Sequence, residues 1–196
     1  MTGMMRRFHQ VLLIGSFLPL CWLAMMAVHE LGHVLGAKAT GGTIEKVVLH
    51  PLTISRTDVS PNPNPLVVVW AGPLVGVVLP LGLLLAGRAA RFKWAYMVQF
   101  FAGFCLIANG AYIGVGSFYG HDNASGPGVM LGHGSPIWSL WLFGAVCLPF
   151  GLYLWNGLGM HFGLGAASGK VDHRAAYASC GLLFLTVILE LALSSR

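Results

Sequence analysis

Two histidines and a glutamate lie close together in the segment His29-Glu30-Leu31-Gly32-His33. In an α-helix, residues four apart share a face, so the imidazoles of His29 and His33 can bind one metal ion. Glu30 projects about 100° around the helix from His29, within reach of the proton of a water molecule at that metal. Zinc suits this pattern because it binds neutral imidazole and keeps one coordination position open. The spacing therefore indicates metal-assisted hydrolysis.

The composition is that of a membrane protein. Hydrophobic residues make up 56% of the 196 residues and charged residues only 9%, whereas a soluble domain has about 25% charged residues. Between Val11 and Ala37, Glu30 is the only carboxylate, and there is no Lys or Arg. An ionisable group at membrane depth is costly, so its presence points to a functional site. We expect residues 1–196 to form a single membrane-embedded domain.

Five apolar segments predict the architecture. Each is long enough to cross a hydrocarbon core of about 30 Å, which needs about 20 helical residues. The sequence therefore predicts an all-α, multi-pass integral membrane protein, with the lipid bilayer as its surroundings. The predicted spans are residues 11–37, 66–86, 94–117, 137–158 and 175–193.

The basic residues are scattered among short loops and form no patch, so we expect no nucleic-acid partner. With the N-terminus inside, seven of the 11 Lys and Arg residues fall on the inner side, most clearly in the compact loop 88–93, which favours this orientation. The orientation does not settle from which side the metal is reached.

Residues 1–24 also have the pattern of a signal peptide, but cleavage would remove most of the helix before His29. We expect an uncleaved anchor.

The connection between the first two spans predicts a small β-hairpin. Two β-branched runs, residues 43–49 and 52–55, are separated by His50-Pro51 and followed by the turn-rich segment 60–65. One interpretation is an edge strand that pairs with an extended substrate. The other is a simple cap over the helix ends. The sequence does not choose between them.

Four features together resemble the site-2 protease class of intramembrane zinc metalloproteases, here in a compact form. The resemblance covers about residues 10–136 and lies in the 29–33 motif, the Gly41-Gly42 pair before a β-rich stretch, Ala71-Gly72-Pro73, and Asp122. It implies that Asp122 is the carboxylate ligand of the metal. It also implies that the substrate is a transmembrane segment of another protein.

The third metal ligand has competing candidates. A catalytic zinc ion usually has three protein ligands. Asp122 follows a membrane segment in a Gly-, Asn- and Ser-rich stretch that can fold back into the helix bundle. Its neighbour His121 is the direct competitor because imidazole also suits zinc, and His133 is a more distant one.

Small and polar residues within the spans support the site. Gly32 and Gly36 on the first span, like Gly72 and Gly76 on the second, have a spacing that lets helices approach closely in lipid. Asn109 is the only Asn in the third span, and two roles are open for it. It donates a hydrogen bond to the substrate backbone or to a bound carboxylate, or it connects helices by hydrogen bonds.

The sequence thus predicts a zinc-dependent intramembrane endopeptidase with one Zn²⁺ per chain. His29, His33 and Asp122 are the expected metal ligands, and Glu30 is the expected catalytic base. The alternatives are a zinc-binding membrane scaffold without proteolytic activity and, with less support, a metal transporter. An intact Glu30 favours the enzyme, because a scaffold binds zinc without it. The compact chain with short loops suggests a bacterial plasma membrane. The oligomeric state cannot be predicted.

Overall fold

A computed structural model describes residues 3–119 and 126–194. Its α-helices are α1 (Gly3–Ala39), α2 (Pro65–Ala89), α3 (Ala95–Gly116), α4 (Gly126–Gly132), α5 (Ile137–Trp155) and α6 (His173–Ser194). Three short 3-10 segments lie at Ser117–Tyr119, Leu158–Phe162 and Gly165–Ala167. Five helices, all except α4, are long and apolar enough to cross a membrane, with the Ser117–Tyr119 turn extending α3.

The five predicted spans are confirmed, with small differences at their ends. The largest difference is at α1, which begins at Gly3 rather than at residue 11 because its first turns carry polar and basic side chains that hydropathy does not detect. The whole helix is 37 residues long. The short helix α4 was not predicted, since seven residues rich in glycine give no helical pattern.

The spanning helices form a row in which α6, α1, α2, α3 and α5 are successive neighbours. Helix α1 therefore packs between α2 and α6, and α3 packs between α2 and α5. Helix α4 lies against α2 and α3. This order places the 29–33 segment of α1 where side chains from both α2 and α3 can reach it.

Glycines set the distance between α1 and α2. A Cβ atom at Gly32 would collide with the carbonyl oxygen of Ala71 and lie 2.7 Å from the Cα of Gly72. A Cβ atom at Gly36 would lie 2.7 Å from the Cβ of Ala71. The predicted close approach of the two helices is therefore confirmed, and it is made by backbone against backbone.

The hairpin between α1 and α2 is confirmed, but its second strand was wrongly placed. Strand β1 is Ile44–Val48 and strand β2 is Arg56–Val59, paired antiparallel with Val48 opposite Arg56 and Ile44 opposite Val59. Residues 52–55, predicted as a strand, belong to the connection. The β-branched run suggested a strand, yet the side chains of Leu52 and Ile54 are exposed, at 87% and 84%, and Pro51 opens a turn there.

Candidate metal centre

The side chains of His29, Glu30 and His33 come together on α1, and the two imidazoles face α2. One potential ligand atom from each of the three lies within 4.8 Å of the others. Among residues 3–119 and 126–194, they form the only group of three or more His, Cys, Asp or Glu side chains that could hold a metal ion. His133, the third-ranked candidate for the third ligand, is exposed and is not part of the group.

Each histidine is oriented by a hydrogen bond from a different neighbouring helix. The Nδ1 atom of His29 lies 2.7 Å from Oδ1 of Asn109 on α3. The Nδ1 atom of His33 lies 2.8 Å from the carbonyl oxygen of Val68 on α2. A carbonyl oxygen only accepts, so both Nδ1 atoms carry the proton and donate it. The Nε2 lone pairs of both rings are then available to a metal ion.

The two Nε2 atoms converge on a glycine. A Cβ atom at Gly72 would lie 2.9 Å from Nε2 of His29 and would collide with the ring of His33. The two rings are themselves in contact, with centroids 4.8 Å apart and planes at 75°. Gly72, from the Ala71-Gly72-Pro73 motif, is thus the residue type that leaves room for the two imidazoles. Its backbone forms one wall of the site.

Asn109 is 2% exposed, and its side chain is engaged at both ends. Its Oδ1 accepts from His29, and its Nδ2 donates to the carbonyl oxygen of Cys105, 2.9 Å away on the preceding turn of α3. Gly76 is required beside it, since a Cβ atom there would lie 2.9 Å from Nδ2. Asn109 therefore connects α3 to the metal face of α1. The predicted contact with substrate stays a prediction.

Glu30 is 4% exposed, and hydroxyl groups from the hairpin contact both of its carboxylate oxygens. Ser55 Oγ donates to Oε1 at 2.9 Å, and Thr57 Oγ1 donates to Oε2 at 2.7 Å. The hairpin thus covers the carboxylate. Pairing of a substrate with the hairpin edge stays a prediction. These two residues could not be predicted, because single hydroxyl groups in a loop are common and the contacts bridge 25 and 27 residues.

Asp122 and His121 lie outside the described residues. Their nearest described neighbours are Tyr119, at the end of the turn after α3, and Gly126, at the start of α4. The amide of Gly126 donates to the hydroxyl of Tyr112, 2.9 Å away, and the Tyr112 ring packs edge-on against His29 with centroids 6.2 Å apart. The start of α4 is therefore connected to the metal face through Tyr112.

The donor set fits zinc. Two neutral imidazoles with free Nε2 atoms, a carboxylate beside them and hydrogen-bonded Nδ1 atoms are the usual features of a catalytic zinc site. A family model described as Peptidase M50B-like matches residues 8–119, which include α1, the hairpin, α2 and α3. No curated protein and no solved structure matches the chain.

Proposed function

The chain belongs to the Peptidase M50B-like family, which is the site-2 protease family, and on this premise we propose that it is a zinc-dependent endopeptidase that cleaves transmembrane segments of other membrane proteins. The family is one of proteases, and the five apolar helices make the chain a multi-pass integral membrane protein. A substrate that shares the bilayer can reach the metal face of α1 laterally. Zinc dependence and the kind of substrate are the parts that we propose.

The observation that supports the proposal most strongly is the orientation of the two imidazoles. Both rings donate from Nδ1 to fixed acceptors and present Nε2 toward Gly72. Two histidines that only filled space in a helix interface would have no reason to share this tautomer and this direction. A metal ion bound by the two Nε2 atoms requires both.

In this proposal His29, His33 and Asp122 hold the zinc ion. When bound, zinc polarises the scissile carbonyl group and lowers the pKa of the attacking water. Glu30 takes the proton of that water on a carboxylate oxygen and delivers it to the nitrogen of the leaving amine. Asn109 keeps His29 in the tautomer that leaves Nε2 unprotonated. Asp122 supplies negative charge in a poorly solvated site where both other ligands are neutral.

The test uses Glu30→Gln, which preserves the size of the side chain but removes the base. Membranes from cells that produce the wild type or the variant are compared by labelling new protein N-termini inside transmembrane segments. We expect such termini with the wild type and a loss of at least about 10²-fold with the variant. Zinc content, measured on purified protein in detergent, should stay near one per chain in Glu30→Gln and fall in the control His33→Ala.

The outcomes separate the candidate functions. Zinc binding by the wild type without any new termini would indicate a non-proteolytic scaffold. Termini that persist in Glu30→Gln would mean that another group is the base. A wild type that contains no zinc after purification with the metal supplied would contradict the metal site itself.

The third ligand needs its own comparison. We expect Asp122→Ala to lower both zinc content and cleavage, and the neighbouring His121→Ala to change them much less. The reason is charge, since a carboxylate offsets part of the double charge of zinc and an imidazole does not. A reversed pattern would give a three-histidine site. If neither variant loses zinc, the third ligand lies elsewhere, and His133 would be tested next.

A further inference from the structure

The carboxylate of Glu30 is held from outside its own helix. Thr57 belongs to β2, and Ser55 immediately precedes that strand. Together their hydroxyl groups contact both oxygens of the carboxylate, at 2.7 and 2.9 Å. Strand β2 is itself fixed by its pairing with β1, where Thr57 lies opposite Val47. Two hydroxyl groups of the hairpin therefore contact the predicted base.

Such contacts restrict the base without blocking it. A glutamate side chain has three rotatable bonds, so an unsupported carboxylate would populate several rotamers beside the histidines. An ionised carboxylate has about four lone-pair positions, and two hydroxyl donors occupy about two of them. The remaining positions are sufficient to accept the proton of one water molecule. Hydrogen bonds to a charged group are also stronger than those between neutral groups.

We propose that Ser55 and Thr57 are positioning residues that hold the carboxylate of Glu30 in its proton-accepting orientation. This inference rests on the proposed function, because it assigns to the hairpin a part in the same hydrolysis. It makes the hairpin more than a cover over the helix ends. Its two hydroxyl groups act through Glu30, so their removal affects the chemical step and not the binding of substrate or metal.

Kinetics with Thr57→Val provide the first test. Valine has nearly the shape of threonine but has no hydroxyl group. The substrate is a single-span peptide built on a segment whose cleavage the terminus labelling detects. We expect kcat to fall about 10-fold with KM and zinc content unchanged, since one hydrogen bond to a charged group is lost. Ser55→Ala should lower kcat by a smaller factor, and the double variant by about the product of the two factors, which is less than 10²-fold.

Two further variants give the controls. Thr57→Ser keeps the hydroxyl group and should retain most of the wild-type kcat. Thr53→Val makes the same chemical change at an exposed threonine of the same connection and should have no effect. A rise in KM at constant kcat for Thr57→Val would overturn the inference, because it would mean that the hairpin contacts the substrate instead.

A second measurement does not depend on activity. Thermal melting of the metal-free protein in detergent is compared for the wild type, Thr57→Val, Glu30→Ala and the double variant. We expect Thr57→Val to lower the melting temperature when Glu30 is intact and to have little effect on it in the Glu30→Ala variant. Equal effects in both backgrounds would show that the contact is absent in solution and would overturn the inference.

The two proposals fail differently. If Glu30→Gln is inactive but Thr57→Val has a normal kcat, the positioning role is wrong and the proposed function stands. If Glu30→Gln retains activity, or if no cleavage is found with the wild type, the proposed function is wrong. The positioning role, which rests on it, is then wrong as well.

Discussion

The two ends of helix α1 are built in opposite ways. At the 29–36 end, glycines bring the backbone of α2 against α1. A backbone carbonyl of α2 and polar side chains from α3 and the hairpin hold the histidines and the glutamate. At the 13–21 end, Leu13, Phe17 and Cys21 pack in an apolar cluster with residues of the α5–α6 connection and α6. One helix thus combines a fixed polar end and an apolar end.

A cavity lies beside the apolar end. A cavity of about 640 Å³ opens between α1, α2, α3 and α6, lined almost entirely by apolar side chains that include Cys21, Ala24, Trp94 and Ala178. Apolar contacts are not directional, so this end can tolerate space and substitution. A metal site cannot, because its ligands must converge within tenths of an ångström. The difference teaches that backbone spacing, more than side-chain bulk, is what the site requires.

The largest effect that this comparison predicts is at the glycines of α1. Gly32→Ala should reduce cleavage about 10²-fold and lower the free energy of unfolding by about 1–3 kcal/mol, since the new methyl group meets the backbone of α2. Gly15→Ala is the matched control on the same helix, because a Cβ atom there has nothing within 4 Å. It should keep full activity and gain up to about 1 kcal/mol of stability.

Both quantities are measured on purified protein, by peptide cleavage and by thermal melting in detergent. Equal losses in Gly32→Ala and Gly15→Ala would contradict the comparison. They would mean that α1 is equally intolerant along its length, and that the close approach at Gly32 is not specific to the site.

Much of the difference between the two ends of α1 could be predicted from the sequence. The 29–33 spacing placed two imidazoles on one helical face, and hydropathy located the five spans to within a few residues except at the start of α1. Glycines four apart on α1 and α2 indicated their close packing. Each of these signals is local or periodic, so a single stretch of sequence contains it.

The remaining contacts of the site are not local. Asn109 and His29 are 80 residues apart, and Val68 and His33 are 35 apart. No spacing rule connects such pairs, and the Val68 contact uses a backbone carbonyl that any residue type provides. The placement of β2 failed for a related reason. Leu52 and Ile54 have strand-forming side chains, but the register of β1 with residues 56–59 decided which residues pair.

Asn109 should show a smaller effect than Gly32. Asn109→Ala removes the acceptor for His29 Nδ1 but leaves the helix spacing unchanged, so we expect zinc affinity to fall about 10–100-fold with little change in melting temperature of the metal-free protein. Asn109→Asp retains an acceptor oxygen and should bind zinc more tightly than Asn109→Ala. Titration of the purified protein with zinc and a competing chelator measures both. Unchanged affinity in Asn109→Ala would limit Asn109 to the helix-connecting role.

The smallest effect concerns a polar contact near the apolar end. Asp172, just before α6, accepts hydrogen bonds from Lys93 Nζ at 2.7 Å and from Trp94 Nε1 at 3.1 Å, and thereby connects the start of α6 to the start of α3. The hydrogen bonds from Lys93 and Trp94 lower the pKa of the Asp172 carboxyl group well below its ordinary value. They favour the ionised form in the folded protein.

The sign of the pH dependence follows from that lowered pKa. The contact stabilises the fold at pH values above the ordinary aspartate pKa of about 4, and the stabilisation is lost as pH falls toward the lower pKa of the folded state. Because the Lys93 side chain is 69% exposed, the contribution should be at most about 1 kcal/mol.

Asp172→Asn should therefore melt slightly below the wild type at about pH 7, and the difference should shrink as the pH is lowered below about 4. Asp58 pairs with Arg56 at 3.3 Å, and its side chain is 41% exposed, against 24% for Asp172. Asp58→Asn should therefore change the melting temperature less than Asp172→Asn. A difference between Asp172→Asn and the wild type that grows on acidification would contradict this assignment. Cleavage activity of Asp172→Asn should be unchanged at neutral pH, because this contact joins the starts of α3 and α6 and does not reach the glycine-lined end of α1.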